Sequence, residues 1–468
     1  MSQVQGRRGS RTRTTLVSLI VTATALAACG SSGSSNAKSS TSSRPSSAAT
    51  GPVVKTLGTG VDANSIKLGI ALVDFSTIAA ATDLTRTKQE QEAAYNAFID
   101  DINQHGGING RKIVPVYKYY SPLGGAAVGI MVVCTALTED QNAFAVVGTF
   151  VDFSGDAQTC VAKREKRILI TLYLTGATID KSPAGMIVTP GDIPERAASI
   201  LVQLLQRQHT LDGKTVAVMG DVTRKTVVTD TIVPALQKAG VKLGTTALLN
   251  IGTTGDFTAA MAQLNGVIER WKGEHVNAVF LSGDLASNKP FVETVKQQLP
   301  DALLLADTAD VLSQAQQVQQ SGVKPNPYEG ILTAGGLTAQ EEDQSAPWKY
   351  CAGIYKAQTG RDAPDAEHTI KNAAGKIDDA HGAISDACSM ISMFQNIMLK
   401  LGQYPNNENW VSTVNSYGNI ATRGLGPYAS IHTGKYTADD NWRLQEYDPT
   451  LGDTGEWKPV TPLQNISG

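Results

Sequence analysis

Five cysteines carry the most distinctive chemistry of the 468-residue chain, and the surroundings of one differ from those of the other four. Cys29 directly follows Leu26-Ala27-Ala28, at the end of a short apolar segment over 16–28. Ahead of that segment lie Arg7, Arg8, Arg11 and Arg13 and no acidic residue. A positive start, a short apolar stretch and small residues before a cut site are the features of a secretory signal. The stretch is too short to span about 30 Å of hydrocarbon at 1.5 Å per residue. The other four, Cys134, Cys160, Cys351 and Cys388, are an even set in a chain expected to be exported. That predicts two disulfides. Of three possible connectivities, nearest-neighbour pairing, Cys134 with Cys160 and Cys351 with Cys388, is preferred; four buried free thiols are the alternative. Their spacings fit no zinc pattern and no His lies near them, so no metal site is expected.

Catalytic constellations are missing. The chain has no Gly-x-Ser-x-Gly elbow, no His-Glu-x-x-His and no P-loop, and none of its motifs implies a cofactor. The six histidines, His105, His209, His275, His368, His381 and His432, are scattered. The net charge is −3, and loss of the four leader arginines would take it to −7, which argues against a nucleic-acid partner. No second segment is long and apolar enough to cross a membrane.

The elements that would position any site alternate regularly. The patterns predict strands over 66–72, 112–119, 144–148 and 168–174, with helices over 89–103 and 125–137 among them. A second series follows: helix 194–208, strand 215–219, helix 227–239, strand 241–248, helix 257–271, strand 278–281, helix 290–298 and strand 302–305. Such alternation predicts an α/β fold with parallel sheets covered by helices on both faces. Pro190 and Gly191 interrupt it within 188–192, so two similar lobes are expected to meet there. Beyond 305 come a strand at 330–334, helices at 348–359 and 380–401, and a strand-rich tail from 424. Residues 30–50 are dominated by Ser and cannot bury enough apolar surface to offset their ordering entropy.

Two resemblances sharpen these readings. Leu26-Ala27-Ala28-Cys29 resembles the lipobox of bacterial lipoproteins, which implies lipidation at Cys29 and a location on the outer face of the cytoplasmic membrane, in a Gram-positive or actinobacterial cell. Asp101-Ile102-Asn103-Gln104-His105-Gly106-Gly107-Ile108-Asn109-Gly110-Arg111-Lys112 is a helix stop, a Gly-rich turn and a strand start. It resembles the type I solute-binding proteins of the branched-chain amino acid (Leu/Ile/Val) transport family, which serve ABC importers. Phe144-Ala145-Val146-Val147-Gly148, Thr253-Thr254-Gly255-Asp256-Phe257-Thr258 and Val276-Asn277-Ala278-Val279-Phe280-Leu281-Ser282-Gly283 are similar to the family in the same order. The match runs over about 64–305; beyond that it is architectural.

The resemblance implies two doubly wound lobes joined by a three-segment hinge and closing on a ligand. It implies a signal peptide over 1–28, a linker over 29–60, a first lobe over 61–189 and 307–430, and a second lobe over 190–306 completed by 431–468. Ligand contacts would come from Phe75, Ser76, Thr149, Ser154, Tyr173 and Thr175 in the first lobe and from Asp221, Arg224 and Asp284 in the second. The expected partners are a small polar ligand (amino acid, amide or small organic acid), ABC permease subunits, and the membrane through the lipid. Three positions depart from the family pattern: Asp74-Phe75-Ser76-Thr77 replaces a Gly- and Ser-rich loop, Asp152 a small hydroxyl residue, and Arg224-Lys225-Thr226 an aromatic-Gly pair. Two cations at the cleft would suit an anionic ligand. A sensor lipoprotein, a cleft that has lost its ligand and a secreted hydrolase are the competing readings.

Overall fold

The computed structural model describes residues 53–77, 84–121, 126–150, 155–250, 258–283, 289–308, 311–366, 377–378, 380–421 and 426–467. Cys29 with the leader, most of the linker, Asp152, Ser154, Asp284, His368 and 253–257 lie outside them.

The first lobe is built on a five-stranded sheet in the order Lys112–Tyr120, Ser65–Val73, Ala145–Gly148, Ile168–Ile170, Ile187–Val188. Its neighbours pair in parallel. Ser65–Val73 is buried over nearly its whole length, as a parallel strand covered on both faces should be. Pro115 is tolerated because Lys112–Tyr120 lies at the sheet edge. Helix Lys88–Gln104 starts at a capping box formed by Thr87 and Glu90. It packs Tyr95, Phe98, Ile99 and Ile102 into the core. Asn103 then ties the helix end to the next strand, donating to the Ile113 carbonyl at 2.9 Å and accepting from the Ile113 N–H at 2.7 Å. In the turn between, Gly106, Gly107, Asn109 and Gly110 all have positive φ. At Gly107 a Cβ would lie 2.1 Å from the Arg111 carbonyl oxygen, so only glycine fits.

The second lobe carries strands in the order Glu456–Pro459, Asn441–Asp448, Leu332–Gly335, Leu303–Ala306, Ala278–Ser282, Thr215–Asp221, Lys242–Leu243. Ala247–Leu249 also pairs with Thr215–Asp221. From Leu332 to Lys242 the pairing is parallel, and Asn441–Asp448 and Glu456–Pro459 close the edge antiparallel. Two apolar clusters cover its faces, one around Trp271 and Phe291 and one around Leu201 and Phe280.

Three crossings link the lobes, at 189–193, 336–338 and 437–440. Two of them run side by side: Thr189 N–H donates to the Tyr436 carbonyl and Ala438 N–H to the Thr189 carbonyl, each at 2.9 Å. The second crossing leads into helices Ala339–Gln344, Ala346–Thr359, Ala380–Leu401 and Asn407–Asn415, and the last three pack into the first lobe's core. Both disulfides form as expected, Cys134–Cys160 and Cys351–Cys388, and all four residues belong to that core.

Several boundaries differ from expectation. The return to the first lobe does not begin at 307, because Leu332–Gly335 pairs with Leu303–Ala306 and keeps 307–335 with the second sheet. The body begins before 61: Val54 N–H donates to Asn409 Oδ1 at 3.0 Å and Gly58 N–H to the Pro405 carbonyl at 2.7 Å. The helix expected over 227–239 splits into a π-helical stretch, Val227–Ile232, and an α-helix, Val233–Lys238. Pro234 lacks an N–H for the Asp230 carbonyl, and its ring crowds that carbonyl. The strand expected over 241–248 is interrupted where Thr245 turns to Glu274, its N–H at 2.6 Å from Oε2. The strand expected over 168–174 stops at Ile170.

Candidate ligand cleft

That early stop releases Leu172, Tyr173 and Leu174 from the sheet, and they form one wall of a cavity of about 370 Å³. Opposite them lie the carboxyl ends of second-lobe strands: Gly283 after Ala278–Ser282, Asp307 and Thr308 after Leu303–Ala306, and Ala334 to Gly336 at the end of Leu332–Gly335. Asp192 and Ile193 of the first crossing, Pro194 and Ala197 of the helix that follows it, Asp439 of the third crossing and Trp442 of strand Asn441–Asp448 complete it. Space at carboxyl strand ends is where open α/β sheets take ligands, and the volume falls within the small-molecule range of about 300–1,000 Å³.

The second-lobe wall is held rigidly. Asp221, buried at the end of Thr215–Asp221, accepts from Thr223 N–H at 2.8 Å and so caps the 3₁₀ turn Val222–Arg224. The turn presents Arg224, whose side chain lies across Gly283. A Cβ on Gly283, which has φ 69°, would come within 2.8 Å of Arg224 Cγ. Buried Asp307 accepts from Ser282 Oγ at 2.6 Å and Gly283 N–H at 2.8 Å. Burial pushes its carboxyl up, against the pull of Arg224 and these two hydrogen bonds.

The crossings contribute a charge network. Arg196, in helix Pro194–Arg207 just after the first crossing, pairs with Asp192 Oδ1 at 3.3 Å and Asp440 Oδ1 at 2.7 Å. It also donates to the carbonyls of Asp439 and Ile466, and its guanidinium stands 5.5 Å from the Trp442 ring centroid. Asp440 takes Lys435 Nζ at 3.0 Å and Ser430 Oγ at 2.6 Å. Burial pushes Asp192 up to about 7, with Arg196 pulling down and Asp439 pushing up. Asp439 is raised by burial as well.

Of the residues named from sequence, Tyr173 and Arg224 stand in the cavity wall. Asp221 sits at the adjacent strand end as a cap. Thr175 caps its own helix, Gly176–Asp180, accepting from Thr178 N–H at 3.3 Å. The Thr149 carbonyl accepts from the Tyr120 hydroxyl. Phe75 lies beneath the Arg86 guanidinium, 5.4 Å from ring centroid to Cζ, and Ser76 Oγ donates to Asp74 Oδ1 at 2.5 Å. Ser154 and Asp284 are outside the described residues. Asp192, Asp307, Asp439 and Trp442 were not anticipated. Asp307 lies two residues beyond the strand predicted over 302–305 and directly after the observed one, so the strand-end rule used elsewhere would have found it. Asp192 was recognised as part of a junction, but nothing local says that a junction will also be a wall. Among the described residues no group of three His, Cys, Asp or Glu side chains could hold a metal ion. No helix among them is long and apolar enough to cross a membrane.

No protein-family model matches the chain, and no curated protein matches it in sequence. Solved structures do match it in shape. A leucine-, isoleucine-, valine-, threonine- and alanine-binding protein from Brucella ovis, in a closed conformation, aligns with a TM-score of 0.58 at 16% identity, over 86% of this chain and 96% of that one. A fatty acid ABC transporter substrate-binding protein from Thermomonospora curvata aligns with a TM-score of 0.57 at 17% identity, over 90% and 97%. A solute-binding protein of an ABC transporter from Rhodopseudomonas palustris BisB5, in complex with 3,4-dihydroxybenzoic acid, gives 0.56 at 14% identity, over 86% and 98%. The chain therefore has the two-lobed type I fold found in solute-binding proteins of ABC transporters.

Proposed function

We propose that the protein is a lipid-anchored, extracytoplasmic solute-binding protein that delivers a small polar ligand to an ABC importer. The observation that carries this is the cavity itself, walled by Tyr173 of the first lobe, Arg224 and Asp307 of the second, and Asp192 and Asp439 of the crossings. A ligand touching both lobes favours the closed arrangement by its differential contacts, and closure is what a permease would recognise. The fold's neighbours bind amino acids, an aromatic acid and, by name, a fatty acid, which supports an amino acid or small organic acid here. Among the described residues, the cavity's acids are held by Arg196, Arg224, Ser282 and Asn441. Cys29 would carry the lipid, and Ser-rich residues after it would hold the body near the membrane at high effective concentration.

The test is a thermal-shift screen of the mature protein, unfolded without reductant, dialysed and refolded to strip co-purified ligand. Amino acids, their amides, and aliphatic and aromatic acids form the panel. At least one compound should raise the midpoint and bind by calorimetry with one-to-one stoichiometry. A panel without any binder would count against the role. Separately, Cys29→Ser should release the protein into the medium with ligand affinity unchanged.

A further inference from the structure

The base of the first lobe, where its strands begin, differs in charge from the rest of the body. From Val53 on, the chain carries 34 Lys and Arg against 43 Asp and Glu. At the base the balance reverses. Lys55, Lys112, Lys163 and Lys166 are exposed there, and Arg167 is half-buried. Backbone and side-chain contacts gather them on one face. Asn407 Nδ2 donates to the Lys166 carbonyl at 2.7 Å, and Lys112 N–H to the Asn64 carbonyl at 2.8 Å. Arg167 lines a pocket of about 280 Å³ against Thr56, Leu57, Gly58 and Thr59. The acids of this face are largely engaged. Asp62 accepts from Ser65 Oγ at 2.7 Å and feels the charge of Arg111, while Glu139 and Glu165 stand 3.7 and 2.6 Å from Arg164. With Asp140 and Glu408 added, seven cations of the base face five acids.

Beside these cations the surface is apolar. Val53 is 61% exposed, Leu57 41% and Tyr404 37%. Asn409 Nδ2 donates to the carbonyls of both Val54 and Tyr404, which brings the three side chains into one patch, with Lys55 between Val53 and Leu57. The chain from Cys29 enters the described body at this patch, 24 residues on. Apolar and tyrosine side chains set among lysines suit the depth of lipid headgroups, where the lysine stems lie on apolar surface and the ammonium groups meet anions. We propose that the base of the first lobe is a membrane-contact face that settles on anionic phospholipid headgroups, an assignment that builds on the tethered role proposed above. The charge complementarity and the entry point of the chain both select a bilayer of acidic lipids as the occupant. The cleft lies at the opposite ends of the same strands, beyond Ile170, so a settled body keeps its cleft turned away from the bilayer and open to solute. Docking on a permease then requires the base to lift off, which a contact made largely of screened surface charge permits.

The experiment is co-sedimentation of the chain from residue 29, carrying Cys29→Ser and no ligand, with two kinds of vesicle. One is equal parts phosphatidylglycerol and phosphatidylcholine; the other is phosphatidylcholine alone. In about 50 mM salt, partitioning onto the anionic vesicles should be about tenfold stronger, and about 300 mM salt should reduce it about fivefold. The triple variant Lys55→Glu/Lys112→Glu/Lys166→Glu should weaken it about tenfold or more. Lys238→Glu/Lys242→Glu/Lys324→Glu makes the same change of charge on exposed lysines of the second lobe, and should weaken it less than about threefold. Leu57→Ser/Tyr404→Ser should lower the binding that survives in high salt. Circular dichroism and the melting midpoint check that each variant folds, and the comparison of the two vesicles needs no variant. The proposal is overturned by no binding to either vesicle, by equal binding to both, or by equal losses from the two triple variants. The anchor and the solute-binding role are read separately, by release of Cys29→Ser into the medium and by the ligand screen. A base that ignores lipid leaves both standing, and failure of either leaves the vesicle result to be read on its own.

Discussion

Gly107 and Gly110 sit three residues apart in one turn, both at positive φ, yet the structure asks different things of them. Around Gly110 there is nothing within 4 Å of where a Cβ would stand; at Gly107 the Arg111 carbonyl is in the way. Gly110→Ala should therefore cost only the left-handed backbone penalty, about 1 kcal/mol. Gly107→Ala adds a clash with backbone that cannot rotate aside, and should cost on the order of 2–4 kcal/mol. Urea denaturation of the two variants measures the difference; equal costs would mean that the turn relaxes freely. Arg224 shows a related dependence on a missing side chain, since its path across Gly283 is open only without a Cβ there. The roles of such residues are partly legible in sequence. The Gly-rich motif announces a turn, whereas the partnership of Arg224 with Gly283 depends on two strands becoming neighbours.

At the scale of elements, alternation of strand and helix was readable because each strand is a short apolar run and each helix has an apolar stripe. Strand ends were less so. Ile168–Ile170 stops early although Leu172 and Leu174 are apolar, because their burial comes from packing at the cleft rather than from the sheet. Ownership of 307–335 was likewise hidden, since membership of a sheet is decided by pairing with a distant segment. The disulfides are element-scale staples. Cys134–Cys160 joins helix Ala126–Thr135 to the turns that follow Asp156, and Cys351–Cys388 joins Ala346–Thr359 to Ala380–Leu401. Their sequence separations are 26 and 37 residues, which corresponds to about 3–4 kcal/mol each by loop-closure entropy. Both lie in the first lobe. The Cys351→Ala/Cys388→Ala variant should lower the unfolding free energy of that lobe by roughly this amount. Amide exchange in Ala278–Ser282 of the second lobe should stay as in the wild type. Equal loss of protection in both lobes would mean that they unfold as one unit.

For the whole molecule, buried acids set the pH response. Burial pushes Glu342 up to about 7, with Asp343 and Asp386 adding repulsion and Ser385 easing it, and Asp192 is raised to the same region. A raised carboxyl binds its proton more tightly in the folded than in the unfolded chain. Its contribution is thus fully present below its unfolded value near 4, and is lost as pH rises towards 7. Stability should fall between about pH 4 and 7 by an amount on the order of 1–3 kcal/mol per acid, before other groups are counted. Glu342→Gln, remote from the cavity wall, should flatten that slope and raise the midpoint at pH 8. Melting curves from pH 4 to 8 for wild type and variant measure it, and parallel curves would mean that Glu342 titrates normally.

The docking of Val54 has a mechanical side. Asn409 Nδ2 holds the Val54 carbonyl at 2.9 Å, and Asn406 Nδ2 holds that of Thr56 at 2.8 Å. Both asparagines belong to the start of helix Asn407–Asn415, whose Trp410 is fully buried in the first lobe. A pull on the chain ahead of Val54 would therefore enter the described residues through the first lobe. For the tethered solute-binding role proposed above, this leaves the second lobe to swing without doing work against the tether.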